Sequence, residues 1–408
     1  MPFHIPNSRN DAQNLDAQDP LAHCRSKFKL PDHTIYLVGH SLGPAPFSAL
    51  ARVQTTAETE WADGLVGSWN SAGWIDLAQQ AGSKLAPLLG VNADDVIICD
   101  SVSVNIFKLA AAALPLCRSM TIIIEDDEFP TDQYIAKGLS DLSDAEFHRV
   151  PHGQGFDALA TGGVLIKSAV NYRSAEIIDI RAYEKKAQKS GALIIWDLSH
   201  ATGIITLNLT DKGAKLAVGC TYKYLNGGPG APAYIYAHPE IVSDLISPLP
   251  GWLGHKSPFA FERDYEPADG CARFVTGTPG ILSLSAMSGA LEVFDGVDTG
   301  QIMKKAQCLS EICLARADTM GLTSTSPRNP DQRAGHVSLL DDHGYPIVQA
   351  LAARGIKSDF RTPDTIRFGF SPLFLRFVDV WDTMDALEDI VTTKSWDTDV
   401  FKHRQKVT

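Results

Sequence analysis

Between residues 90 and 240, short apolar runs alternate with longer segments whose apolar residues recur every three to four positions. Val96-Ile97-Ile98-Cys99, Thr121-Ile122-Ile123-Ile124 and Gly163-Val164-Leu165-Ile166 read as buried strands. Leu193-Ile194-Ile195-Trp196, Leu216-Ala217-Val218-Gly219 and Ala233-Tyr234-Ile235-Tyr236 complete the set. Between them, Ser103 to Leu114 is an Ala/Leu helix. Asp179 to Lys189 is a second, with Ile180, Tyr183 and Ala187 on one face and Arg181, Lys185 and Lys189 on the other. Apolar strands alternating with helices predict an α/β domain with a mainly parallel sheet covered on both faces. Sites in such sheets lie beyond the carboxyl ends of the strands.

The pattern changes on either side of this region. Residues 1–45 are rich in turn signals and read as an irregular arm ending in Gly39-His40-Ser41-Leu42-Gly43-Pro44. A helix over 48–62, with Ser48 as its N-cap, opens a large domain that spans 46–280. Beyond 281 come long helices (281–295 and 300–319) and a strand at 337–340. A helix near 345–354, strands at 356–360 and 366–370, and a last helix near 379–392 follow. This is the pattern of a smaller α+β C-terminal domain over 281–408.

Two residues at the predicted carboxyl edge carry the chemistry. Asp197 ends the strand 193–196, and Lys223 follows the strand 216–219, flanked by Tyr222 and Tyr224 and trailed by Gly227-Gly228-Pro229-Gly230. An acid and a lysine so placed suit pyridoxal phosphate (PLP): the lysine forms a Schiff base with the aldehyde, and the acid keeps the pyridine nitrogen protonated. Asp197 also suits a helix N-cap, and a lysine in such a turn also suits a solvated surface position. The start of the 103–114 helix, with Ser101 and Ser103, offers free N–H groups for a phosphate, and the same hydroxyls suit simple capping. In Glu125-Asp126-Asp127-Glu128-Phe129-Pro130-Thr131-Asp132, Phe129 suits stacking on a pyridine ring and Asp132 a second ring contact. Asp126, Asp127 and Glu128 read as a solvated acidic turn. Arg367 alternates with apolar residues and suits either a carboxylate fork or a structural ion pair.

Composition narrows the partners. A net charge of -12 argues against nucleic acid or an anionic membrane surface. The seven cysteines are scattered without a CxxC pair, which favours free thiols in a reducing compartment. The first twenty residues lack an apolar signal core, and no stretch has the apolar length to span a bilayer. The expectation is a cytoplasmic protein without nucleic-acid or membrane partners and without a metal.

The motifs together resemble the kynureninase family over nearly the whole chain. The resemblance rests on Gly39-His40-Ser41-Leu42-Gly43, Ser103-Val104-Asn105, Phe129-Pro130-Thr131-Asp132 and Trp196-Asp197-Leu198-Ser199-His200. Gly219-Cys220-Thr221-Tyr222-Lys223-Tyr224-Leu225-Asn226-Gly227-Gly228-Pro229-Gly230, the most specific of them, and Ile366-Arg367-Phe368-Gly369-Phe370 complete it. It implies the PLP-dependent transferase-like (type I) fold: a large domain with a mainly parallel seven-stranded sheet, plus a small C-terminal domain. It implies hydrolysis of the Cβ–Cγ bond of L-kynurenine or 3-hydroxy-L-kynurenine, giving L-alanine and anthranilate or 3-hydroxyanthranilate. By matching position, Lys223 would bind PLP covalently and remove the Cα proton, Asp197 would hold the pyridine nitrogen, and Tyr222 would relay protons. Phe129, Thr131, Asp132 and His200 would complete the cofactor pocket, and Val102, Ser103, Ser168 and Tyr222 would hold the phosphate. Trp252 and Thr278 would reach the cofactor of a neighbouring subunit, making a homodimer with shared active sites. Arg367, His40, Ser41 and Trp69 would face the amino acid substrate.

Three positions depart from the family pattern. His40 stands where asparagine is usual, Ala169 where histidine is common, and Ala175 where glycine usually closes Tyr172-Arg173-Ser174. The competing reading is a PLP enzyme of the same fold acting on another γ-keto or γ-substituted amino acid, or a desulfurase-type lyase. A desulfurase needs a reactive cysteine on a mobile loop, and none of the seven lies in an obvious one.

Overall fold

The structure, a computed structural model, describes residues 4–405. Seven strands form the central sheet: β1 (Val96–Ile98), β2 (Thr121–Glu125), β3 (Glu146–Val150), β4 (Val164–Ser168), β5 (Leu193–Asp197), β6 (Leu216–Gly219) and β7 (Tyr234–Ala237). Their spatial order is β1-β7-β6-β5-β4-β2-β3. The pairings from β3 across to β6 are parallel, and only β7 runs against its neighbours. Ile122–Ile124, Ile194–Trp196 and Leu216–Val218 are fully buried, as a sheet covered on both faces requires. Ser168 and Asp197 are register partners at the ends of β4 and β5, and Glu125 ends β2, so one edge collects the strand-terminal polar residues.

The connections are helical: α1 (Arg9–Ala17), α2 (Phe47–Thr55), α3 (Leu77–Leu89), α4 (Val102–Ala113), α5 (Pro130–Leu142) and α6 (Ile180–Ser190). Ser101 caps α4 and Asp179 caps α6, each side chain accepting a backbone N–H one turn in. Four elements differ from the sequence expectation. α1 gives order to the arm, and its Asp16 accepts the Phe377 and Val378 N–H groups at 2.6 and 3.1 Å. α2 starts behind Pro46, not at a Ser48 cap, and ends in a π turn over Thr56–Trp61. α3 and the edge strand β3 lie in stretches where the sequence pattern had predicted neither.

The C-terminal part contains α7 (Ile281–Ala290), α8 (Thr299–Thr319), α9 (Gly344–Ala353) and α10 (Phe377–Thr393). An antiparallel sheet of β8 (Thr323–Ser324), β9 (His336–Leu340), β10 (Asp359–Arg361) and β11 (Thr365–Gly369) runs in the order β10-β11-β9-β8. Val38, just before the Gly39–Gly43 turn, bridges to Gly369, which brings the arm, the small sheet and the β5–β6 edge together. No helix among the described residues is long and apolar enough to cross a membrane.

Candidate active site

A cavity opens at the carboxyl edge of the large sheet. Its wall includes Val102 and Ser103 from the start of α4, Phe129, Thr131 and Asp132 at the start of α5, and Ser168, Asp197 and His200. Tyr222 and Lys223, from the turn after β6, close it. Of the twelve sequence-predicted cofactor and catalytic residues, ten are these wall residues; Trp252 and Thr278 lie elsewhere. Trp252 is 40% exposed and Thr278 is also exposed, and their two loops pack together where Gly251 meets Thr276.

The electrostatics of the wall come from burial. Asp197 is 7% exposed, and its Oδ1 accepts the Ser199 N–H at 2.8 Å, which fixes the carboxylate's orientation. Burial, then the neighbouring Asp197 and Glu128, push the Asp132 carboxyl well above its usual range. Asp132 Oδ2 and His200 Nδ1 are buried without a hydrogen-bond partner among the described residues. Such groups normally find partners, so the wall offers polar valences to a ligand. Lys223 Nζ lies 5.9 Å from the centre of the Tyr222 ring, and Phe129 stands edge-on to Tyr172. Asn226, Gly228 and Gly230 take positive φ, so the chain doubles back right after the lysine.

Two of the three turn acids were misread from sequence. Glu128 is not a solvated turn residue: it is 2% exposed, its Oε1 lies 2.8 Å from Lys167 Nζ, and its Oε2 accepts the Ser168 N–H at 3.1 Å. Lys167 also bonds Glu125 at 2.7 Å. Phe129 and Ser168 are therefore held by a buried acid–lysine–acid bridge beneath the cavity. Asp127 is tied to Asn171 at 2.6 Å and to His152 at 2.8 Å, and only Asp126 is exposed as expected.

The four substrate-side residues lie outside the cavity lining. Arg367 is 1% exposed, with Nε and Nη2 on Asp359 and Nη1 on the Tyr172 carbonyl at 2.7 Å. Three of its five N–H groups are used, which leaves two for a carboxylate. His40 is fully buried beside it, Ser41 sits in the adjacent turn, and Trp69 packs edge-on against Trp74. Sequence reading missed His336, whose ring stacks on His40 at 5.3 Å. A histidine opening an apolar strand carries no signal by itself.

A lysine and an acid on adjacent strand ends, a helix N-terminus with hydroxyls, and a stacking aromatic define the class: a PLP-dependent enzyme of the type I fold. Solved structures agree on the fold. Cysteine desulfurase from Thermococcus onnurineus NA1 superposes with a TM-score of 0.78 at 16% identity, covering 91% of this chain and 98% of that one. A C-DES mutant with glycine covalently linked to its PLP cofactor gives 0.78 at 17%, covering 90% and 99%. Sequence relatives go further. The kynureninase of Pseudomonas fluorescens is 39% identical, and that of Burkholderia mallei (strain SAVP1) 41%, each covering 98% of this chain and all of the relative. Residues 302–387 match the kynureninase C-terminal domain. The chain belongs to the kynureninase family, as its motifs led one to expect, and is a PLP-dependent hydrolase of carbon–carbon bonds. All seven cysteines are free, and six of them are buried, which does not suit a desulfurase loop.

Proposed function

We propose that the protein hydrolyses L-kynurenine, or its 3-hydroxy derivative, to L-alanine and the matching anthranilate. The observation that carries this is the convergence of Lys223, Asp197, Asp132, His200 and the α4 N-terminus on one cavity in a chain of this family. When bound, PLP supplies an aldehyde for the amino group and a ring that takes up the electron pair released at Cα.

The chain supplies the rest. The N–H groups of Val102 and Ser103 and the Ser168 and Tyr222 hydroxyls bind the phosphate at the helix's positive end. Phe129 would stack on the ring, and Thr131, Asp132 and His200 would complete its pocket. The Asp197 carboxylate would hold the proton on the pyridine nitrogen. Lys223 Nζ would anchor the cofactor and take the substrate's Cα proton. Tyr222 Oη would relay protons. The two free N–H groups of Arg367 receive the substrate carboxylate, with His40, Ser41 and Trp69 on the substrate side.

The same reading makes the enzyme a homodimer in which Trp252 and Thr278 reach the partner's cofactor, and places it in the cytoplasm. It keeps an arm to residue 45, a large domain over 46–280 and a small one over 281–408. That division is supported by the containment of one sheet within 96–237 and the other within 323–369. The test is incubation with L-kynurenine while anthranilate fluorescence is followed. Product well above a Lys223→Ala control is expected, and none above it overturns the reading.

A further inference from the structure

An acid stands at the corner where β1 gives way to α4. Asp100 immediately precedes Ser101, the cap of α4. Its φ is 48°, a left-handed value that Asn and Asp enter more readily than other residues with side chains. The corner is tied on both sides: the Cys99 carbonyl accepts Asn105 Nδ2–H at 2.8 Å, and the Asp100 carbonyl accepts the Ala233 N–H at 2.8 Å. Val102, Ser103 and Ala233 all line the cavity. The Asp100 carboxylate pairs with Lys108, which is fully buried. Lys108 Nζ lies 2.6 Å from Asp100 Oδ2, 2.6 Å from the Phe274 carbonyl oxygen and 3.7 Å from Cys99 Sγ, so its three N–H groups are all used.

The same carboxylate holds a second segment. Thr276 Oγ1 donates to it, 3.3 Å from Oδ1 and 3.4 Å from Oδ2. Among the described residues, this bond and the Lys108 bond to Phe274 are the hydrogen bonds that join 274–279 to other elements. Two residues on, Thr278 is exposed, and Gly277 has open space around it. The Trp252 loop leans on the same segment, since a Cβ on Gly251 would sit 2.0 Å from the Thr276 carbonyl oxygen. A cleft of about 340 Å³ runs between Asp100, Gly230, Pro232 and the 276–279 loop. A loop so sparsely bonded takes its place from the tie it has. We infer that Asp100, clamped by Lys108, positions two cofactor sites at once: the phosphate cradle of its own cavity, and the Thr278 loop that serves the partner's. The inference rests on the PLP and shared-site readings above, and names the residue that joins them.

An acid beside an anion-binding helix start opposes the bound charge unless its own charge is neutralised. Lys108 does this from a place where salt screens little. Capping does not require Asp100, because Ser101 Oγ accepts the Val104 N–H at 3.4 Å. A counter-ion for Lys108 would need neither the left-handed backbone at Asp100 nor the Thr276 bond. Both follow if the residue fixes the corner and the loop together. Groups that grip a ligand must stand within about 0.5 Å of their working positions. Removing the carboxylate leaves the Lys108 ammonium buried and unpaired, and that disturbance falls next to Val102 and Ser103. Asp100 acts through the first turn of α4 and through Thr276, and is a positioning residue.

Mixed dimers separate the two outputs. When one subunit carries Lys223→Ala, the absorbance of lysine-linked cofactor reads the other subunit's cavity alone. Asp100→Ala in the subunit that keeps Lys223 raises the Kd for PLP about tenfold or more. The Kd for pyridoxal, which lacks the phosphate, stays within about threefold of wild type. Asp100→Ala or Thr276→Val in the Lys223→Ala subunit, whose own cavity is silent, raises the Kd for PLP at the other cavity about threefold or more. Asp100→Asn keeps an acceptor oxygen and tolerates the left-handed backbone, and recovers most of both losses. The pair Asp100→Ala/Lys108→Met strands no charge, so it folds where the single change does not, and gives the same pattern as Asp100→Ala. Equal weakening of PLP and pyridoxal, or a loss in only one of the two arrangements, overturns the inference. Trp252→Ala in the Lys223→Ala subunit is the control: if it too leaves the other cavity unchanged, the shared-site reading falls, and this inference with it. A wild type that links no PLP overturns the functional reading, and this inference with it.

Discussion

Arg367 grips Asp359 side-on, Nε to Oδ1 at 2.8 Å and Nη2 to Oδ2 at 2.5 Å, with both side chains almost wholly buried. A forked pair fixes the guanidinium plane and aims its two remaining N–H groups. Removing one partner strands a charge in a poorly solvated place. Asp359→Ala is therefore expected to lower stability to urea by about 3–5 kcal/mol. Arg367→Lys keeps a charge but loses the fork, and is expected to raise KM for the amino acid more than it lowers kcat. Steady-state kinetics checks this.

The bridge Glu125–Lys167–Glu128 gives a second expectation. Glu128 links Lys167 to the Ser168 N–H, so the bridge ties the sheet to the phosphate end of the cavity. Lys167→Met leaves two buried acids facing each other. It should cost about 3–5 kcal/mol and weaken PLP binding, measured by titrating cofactor absorbance.

Much of the site was legible in the chain, because its residues follow strand ends or open helices. Asp197 and Lys223 mark two strand ends, and Ser101 and Phe129 stand at two helix starts. What was not legible depends on long-range packing. β3 reads Glu-Phe-His-Arg-Val, a half-exposed edge strand whose charges hide it. α3 carries Gly82 and Pro87, which mask its period. Glu128 looks like its acidic neighbours until Lys167, on another strand, comes beneath it. The His40–His336–His200 cluster joins residues from three parts of the chain, and no spacing announces it.

Glu184 sets a pH dependence. It is 7% exposed and accepts the Trp196 indole N–H at 2.7 Å, and burial pushes its carboxyl up to about 7. The unfolded value is about 4.3, so folding favours the protonated form. That contribution is complete below the unfolded value and is lost as pH rises through about 7. Glu184→Gln keeps an acceptor for the indole with no charge to bury. Its melting temperature should exceed that of the wild type above about pH 8, and the gap should close near pH 5. Melting curves across this range test it.

Ala175 has φ 65°, a region that favours glycine, and it is fully buried. A side chain in the left-handed region costs about 1–2 kcal/mol. Ala175→Gly is expected to stabilise by about 1 kcal/mol once the greater freedom of the unfolded glycine is subtracted. Urea unfolding would reveal it.

The loops of Trp252 and Thr278 bear on the assembly. If they complete the partner's site, Lys223→Ala and Trp252→Ala variants, each impaired alone, should regain activity when mixed and allowed to exchange subunits. Activity equal to the sum of the separate variants would place both residues in one protomer's site.

The central claim is that Lys223 is the covalent anchor of PLP. Borohydride reduction of the loaded enzyme, followed by peptide mass mapping, tests it directly. The account predicts the phosphopyridoxyl adduct on the peptide containing Lys223, and none in Lys223→Ala. An adduct on another lysine, or on none in the wild type, would contradict it.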